Sequence, residues 1–283
     1  MPYSILHVSD LHAGPPFNQH VAARLVAQAQ EMRPDLLVVS GDFVQRADFR
    51  AQWATISGVL AALPQPQLLV PGNHDVPLYN AFQRVLQPYG PYRRHISSNL
   101  NPVFERPGLV VVGACSAQSL VIDGGWLNQD QQHFLRTTFA RYGDDYCKIA
   151  VWHHPVLMPP GSHKRRELRR ADDAVRLLDE CDVELLLCGH LHVSYIGNTL
   201  DVVDTLRQGT IICQSGTTTS KRGKGREFGK NAFNLIEVDQ QAIRIAQYLY
   251  LEAAGRFVPT AEHAFPRRNR GVYQLPASER NVQ

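Results

Sequence analysis

The side chains best placed to act together chemically stand in five short clusters: Asp10-Leu11-His12, Gly41-Asp42, Gly72-Asn73-His74-Asp75, His153-His154 and Gly189-His190-Leu191-His192. Carboxylates, an amide oxygen and imidazoles suit Mn, Fe or Zn, and no cysteine falls in any cluster, which disfavours soft-metal chemistry. Two divalent ions about 3.5–4 Å apart can hold phosphoryl oxygens and stabilise an in-line displacement, and a carboxylate is needed to bridge them. Any one cluster taken alone is weak, because Asp-x-His, His-x-His and Asn-His-Asp also occur as ordinary turn chemistry. Their shared position in the chain is the stronger observation.

Each cluster closes an apolar run: Ile5 to Ser9, Leu36 to Ser40, Gln67 to Pro71, Ile149 to Trp152 and Val183 to Cys188. Such runs read as buried strands, so the five clusters fall at C-terminal strand ends, where α/β proteins build their sites. Helical spacing predicts a helix from Asn18 to Arg33, with Val21, Leu25, Ala29 and Met32 on one face and Pro34 ending it. Further helices are expected from about Asp48 to Ala62, Leu78 to Leu86, Gln129 to Tyr142 and Leu168 to Glu180. Continuous β-type runs cover Leu109 to Cys115, Thr210 to Gln214, Asn231 to Val238 and Ala242 to Tyr250. Strands alternating with helices, followed by hairpins, predict two packed sheets with helices outside. The stretch Pro88 to Pro107, rich in Pro, Gly, Tyr and Asn, is read as a functional loop or lid.

In their order along the chain, Asp-x-His, Gly-Asp, Gly-Asn-His-Asp, His-His-Pro and Gly-His-x-His resemble the motif set of the calcineurin-like metallophosphoesterases, over Asp10 to His192. The resemblance implies an α/β (α+β) fold, a four-layer α/β/β/α sandwich of two packed mixed sheets with flanking helices. It also implies two divalent metal ions (Mn, Fe or Zn), with Asp42 as the bridge. Asp10, His12 and His192 would complete one site, and Asn73, His153 and His190 the other. His154 would stand behind the ligands or face the substrate. His74 resembles the family's general acid, with Asp75 holding its tautomer. Arg46 is read in two ways, as a phosphate contact through its planar fork or as an arginine capping or pairing with the following helix. The Arg-Gly pair that often follows Gly-Asp in the family is here Arg46-Ala47.

The activity implied is that of a metal-dependent phosphoric ester hydrolase, with a metal-bridging hydroxide attacking phosphorus. The motifs look most like the bacterial group of cyclic-nucleotide and glycerophosphodiester phosphodiesterases. The alternatives are a phosphomonoesterase or protein phosphatase, a DNA nuclease and a nucleotide pyrophosphatase of the same superfamily. A metal-free binding scaffold is the rival of another class, and the presence of every expected ligand argues against it.

A chain of 283 residues suffices for one large domain. Residues 1–258 are expected to form it, with 259–283 a C-terminal tail serving as a loose extension or an oligomer contact. A net charge of +3 gives no strong pull toward nucleic acid or membrane, so a small phosphate ester is the expected partner. The basic segment Lys221 to Arg226 reads as a Gly-rich loop favouring anionic substrates, and His163-Lys164-Arg165-Arg166 as an anion-attracting flap or a solvated helix start. Ser215 to Ser220 reads as a turn, with bonds to phosphate or ribose as the alternative. Five scattered cysteines read as reduced, buried thiols. With no signal peptide and no apolar run of roughly 20 residues, a cytoplasmic location is expected.

Overall fold

The computed structural model describes residues 2–160, 168–203 and 205–267. The first half runs β1 (Tyr3–Val8), α1 (Gln19–Met32), β2 (Leu36–Val39), α2 (Arg50–Ala62), β3 (Gln67–Leu69), α3 (Ala81–Leu86), α4 (Gly90–His95), β4 (Val103–Arg106), β5 (Leu109–Gly113) and α5 (Gln129–Phe139). The second runs β6 (Cys147–Val151), α6 (Ala171–Glu180), β7 (Leu185–Cys188), β8 (Tyr195–Asn198), β9 (Ile211–Gln214), β10 (Ala232–Val238), β11 (Ala242–Leu251) and β12 (Arg256–Pro266). The strands form two six-stranded mixed sheets, ordered β12-β11-β10-β1-β2-β3 and β4-β5-β6-β7-β9-β8. Parallel pairs β1-β2-β3 and β5-β6-β7-β9 occupy the apolar runs, and antiparallel pairs flank them.

Successive side chains of a strand point to opposite faces. In β1, Ile5 enters the core between the sheets with Val38, Val111, Ile149 and Leu187, while Leu6 and Val8 join Leu25 and Trp53 under the helices. On the other sheet, Val110, Val112 and Ala150 pack with Leu135 and Val175. Both faces of each central strand are therefore buried, which is why these strands read as unbroken apolar runs. The result is the four-layer sandwich expected above. Local signals set the helix ends: Asn18 Oδ1 accepts from Val21 N at 3.2 Å, and α1 closes on Arg33 in the left-handed region.

Several expectations need correction. The Pro88–Pro107 loop contains α4 and all of β4, so it is a structured connection. The boundary expected at residue 258 falls inside β12, which pairs with β11 along its length. Arg267, expected in a loose tail, is buried, and its fork reaches Glu184 through Nη2 to Oε1 at 2.8 Å. The basic run His163 to Arg166 and the remainder of the tail lie outside the described residues. All five cysteines are buried, and none forms a disulfide among the described residues. Among the described residues, no helix is long and apolar enough to cross a membrane.

Candidate metal centre

The five clusters do meet at one rim, and their loops are held there by backbone contacts. Asp10 N donates to Gly41 O and His12 N to Asp42 O, both at 3.0 Å. Asp10, His12, Asp42, His190 and His192 all have positive φ, between 49° and 76°. Non-glycine residues avoid this region, and it persists only where the surroundings over-determine it. Around Asp10 the surroundings include hydroxyls of the Ser215–Ser220 run. Thr217 Oγ1 donates to Asp10 O at 2.6 Å, Thr219 Oγ1 donates to Leu11 O at 2.8 Å, and Thr218 Oγ1 accepts from Ser9 N at 3.1 Å. All three threonines are buried, so the run neither contacts phosphate or ribose nor serves as a simple turn. Gly41 is required by its φ of +105°, and a Cβ there would stand 2.6 Å from His153 Nδ1.

Asp75 also has a different role from the one expected. Its Oδ2 accepts from Gly72 N at 2.8 Å and Asp42 N at 3.0 Å, and its Oδ1 from Phe43 N at 2.9 Å and Val44 N at 3.2 Å. It therefore ties the Gly-Asn-His-Asp loop to the Asp42 loop and does not touch the His74 imidazole. Burial and the neighbouring Asp42 carboxylate push the Asp75 carboxyl up, against the pull of these N–H donors. The His74 ring is fixed instead by Nδ1, 2.7 Å from Gln45 O.

Asp10, His12, Asp42 and His192 converge so that one ligand atom from each lies within 4.8 Å of the others. His192 Nε2 is 3.1 Å from Asp10 Oδ1 and 3.0 Å from His12 Nε2. Beside them, His153 Nε2 is 3.3 Å from Asp42 Oδ2, and His190 Nδ1 is 3.1 Å from Asn73 Oδ1. Asn73 Nδ2 donates to Ile122 O at 3.0 Å, which turns its amide oxygen toward His190. Asp10 Oδ1 is buried with no hydrogen-bond partner among the described residues. An orphaned carboxylate oxygen crowded by imidazole nitrogens is what a cation would reconcile, and the mixed O and N donors suit Mn, Fe or Zn.

The electrostatics of the two carboxylates and of His12 agree with this fit. Burial opposes charge on Asp10 and Asp42, but His192 and His12 around the first and His153 and His74 around the second hold both carboxyls well below the usual range. Burial brings His12 down to about 3 despite Asp10 and Asp42, leaving a neutral imidazole able to ligate. For His153 burial is outweighed by Asp42, Asp10 and the Nδ1 bond to Ser40 O, and its pKa rises to about 9. Burial, with Arg222 and Arg46, lowers His74 against Asp42 and Gln45.

His154 does not face the cleft. It is fully buried, its Nδ1 is 2.8 Å from Ser116 Oγ, and its ring lies 5.0 Å from that of His153 and 4.7 Å from that of His190, so it stands behind those two imidazoles. Arg46 lines the cleft, with Nη1 donating to Gln45 O at 2.7 Å and 2.7 Å from His74 Nδ1. Among the described residues it pairs with no acid of the following helix. Arg222 was not singled out by the sequence. Its Nη1 donates to Gln45 Oε1 at 3.0 Å and stands 3.2 Å from His74 Nε2, and with Lys224 and Asp123 it lines the opening over Asp42 and His190. The one hint was its place in a basic Gly-rich loop.

Two layers of helix around two mixed sheets, with a buried Asp/His cluster at the strand ends, define a metal-binding phosphoesterase architecture. The chain belongs to the calcineurin-like phosphoesterase family, whose profile matches residues 3–194. It is 27% identical over 194 residues to the glycerophosphodiester phosphodiesterase GpdQ of Enterobacter lignolyticus, covering 65% of this chain and 63% of that protein. It is 26% identical over 200 residues to the phosphodiesterase YaeI of Escherichia coli, covering 68% of this chain and 61% of the other. The match thus spans under two thirds of the length of either relative. In fold it is similar to the purple acid phosphatase PPD1 of yellow lupin, with a TM-score of 0.72 at 12% identity, over 95% of this chain and 55% of the other.

Proposed function

We propose that the protein is a dinuclear metal-dependent phosphodiesterase acting on small phosphodiesters. The observation that carries this reading is the buried convergence of Asp10, His12, Asp42 and His192 beside Asn73, His153 and His190. Asp10, His12 and His192 would hold one ion, Asn73, His153 and His190 the other, and Asp42 would serve both. Divalent ions bound there neutralise phosphoryl oxygens and lower the pKa of water.

The chain's own residues supply the rest. His74 keeps Nδ1 on Gln45 O, so Nε2, 4.0 Å from Asp42 Oδ2, is the atom that carries a proton to the leaving oxygen. Its depressed pKa favours the neutral ring in the free protein, and an anionic substrate opposes that depression. Arg222 and Arg46 flank His74 and offer planar donors to non-bridging oxygens. The preference for diesters is supported by the two relatives, both named phosphodiesterases. The test is hydrolysis of bis-p-nitrophenyl phosphate beside p-nitrophenyl phosphate, with Mn and with chelator. Faster, chelator-sensitive diester cleavage is expected, and a monoester preference would replace this reading with a phosphomonoesterase.

A further inference from the structure

Large exposed apolar side chains are carried by the segments that border the cleft at Leu78, Arg84 and Ile122. α3 contains Phe82, Val85 and Leu86 yet buries none of its residues, and Phe82 is 76% exposed. Tyr79 and Phe49 lie beside it with ring centroids 6.1 Å apart, and Leu120 (79% exposed) and Ile122 stand on the loop opposite. These two walls form one face. Arg84 of α3 donates through Nη1 to Pro77 O and through Nη2 to Val121 O, both at 2.6 Å. Leu78, Arg84 and Ile122 line the same opening as His74, Arg46 and Arg222. Nor is the face a frayed end. Asp48 Oδ1 and Oδ2 accept from the backbone N–H groups of Leu78, Tyr79 and Asn80 at 2.9 to 3.2 Å, locking the lead into α3.

Exposed apolar groups gathered in this way mark an interaction surface. The charge around them selects the partner. Arg50 adjoins Phe49, and Arg50 and Arg94 lie near enough to His95 to lower its pKa after burial has done so. Arg93 and Arg84 both act on Tyr89. Of the acids nearby, Asp48 is committed to the three backbone donors, while Asp123 faces the cleft. An apolar platform flanked by arginines is the pattern that inserts among acyl chains while pairing with anionic headgroups. A protein seated on this face would cover the opening, whereas a bilayer would present phosphate groups to it. We propose that this rim docks the protein on anionic lipid bilayers, with the cleft facing the headgroups. The docking stands on the surface itself, and only its consequence, cleavage of bilayer-borne phosphodiesters, rests on the activity proposed above.

The experiment is cosedimentation of the full chain with phosphatidylcholine vesicles with and without phosphatidylglycerol, at low and high salt. Binding is expected to anionic vesicles, to weaken with salt, and to fall at least about tenfold in Phe82→Glu/Leu86→Glu. Arg93→Glu/Arg94→Glu is expected to weaken it as well, which keeps the test alive if the first variant misfolds. No binding to anionic vesicles, or binding indifferent to both variants, would overturn the proposal. So would a dimer in solution that Phe82→Glu/Leu86→Glu dissociates, since the occupant would then be a second copy. Because cosedimentation needs no turnover, a protein that binds vesicles but cleaves no diester would refute the activity and leave the docking intact.

Discussion

Asp42 illustrates how much rests on single side chains. Its Oδ2 faces the imidazoles of His153, His12 and His74, while its Oδ1 accepts from His74 N at 2.9 Å. Asp42→Ala is expected to abolish measurable diester cleavage in a folded chain. His74→Ala is expected to retain metal and lower kcat by roughly 10²–10⁴-fold, the usual span for a lost general acid. Rates near wild type with added metal, for both variants, would sink the mechanism. Asp75→Asn separates two roles. An amide nitrogen cannot accept from the N–H groups that Asp75 holds, so the variant should lose about 1–3 kcal/mol and loosen the Asp42 loop. A denaturant titration alongside a metal titration checks this, and unchanged stability with altered activity would restore the tautomer role. The ligand candidates were legible because each stands directly after an apolar run. The holders of His74 were not: Gln45 O is a backbone atom, and Arg222 lies 148 residues away in sequence.

At the scale of elements, the left-handed backbones at Asp10 and His12 depend on hydroxyls delivered from the far sheet. Thr217→Val is nearly isosteric and removes the bond to Asp10 O, so a loss of about 1–3 kcal/mol is expected. Thermal unfolding measures it, and an unchanged midpoint would show that the loop holds its conformation without that bond. The central strands were readable as apolar runs because both their faces are buried. The edge strands β4, β8 and β12 were not, although edge strand β3 was read as the run Gln67 to Pro71. β12 carries two prolines, and Pro259 pairs with Tyr248 where the register shifts between Gln247 and Tyr248. An edge position tolerates what a central strand would not, so proline there masks a strand. The polar Ser-Gly-Thr-Thr-Thr-Ser run carries turn chemistry in sequence, and only the packing of two sheets gives its hydroxyls partners.

Across the whole molecule, buried polar ties join parts that the sequence keeps far apart. Arg267 at the end of β12 grips Glu184, just before β7 in the other sheet, and also reaches Asp239 O at 3.1 Å. A basic stretch near a C-terminus gives no hint of a buried pair, which explains why it was read as a tail. Asp179 makes a comparable tie, accepting from the backbone N–H groups of Arg207, Gln208 and Gly209. Burial opposes its charge, but these donors and the Arg207 guanidinium hold its carboxyl below the usual range. Its contribution is therefore full above the unfolded carboxyl pKa of about 3.9 and lost as pH falls through the lower folded value. Asp179→Asn is expected to cost about 1–3 kcal/mol at neutral pH, with the difference from wild type shrinking in acid. Unfolding curves across that range test it, and a pH-independent difference would deny the charge its role.

The claim on which the rest depends is that the seven clustered side chains hold two divalent ions. Equilibrium dialysis of Mn into metal-stripped protein, with diester turnover followed in the same samples, tests it most directly. Two equivalents per chain are predicted, with turnover rising as the second is bound and Asp42→Ala weakening both. A single equivalent supporting full turnover, or turnover with none, would contradict it.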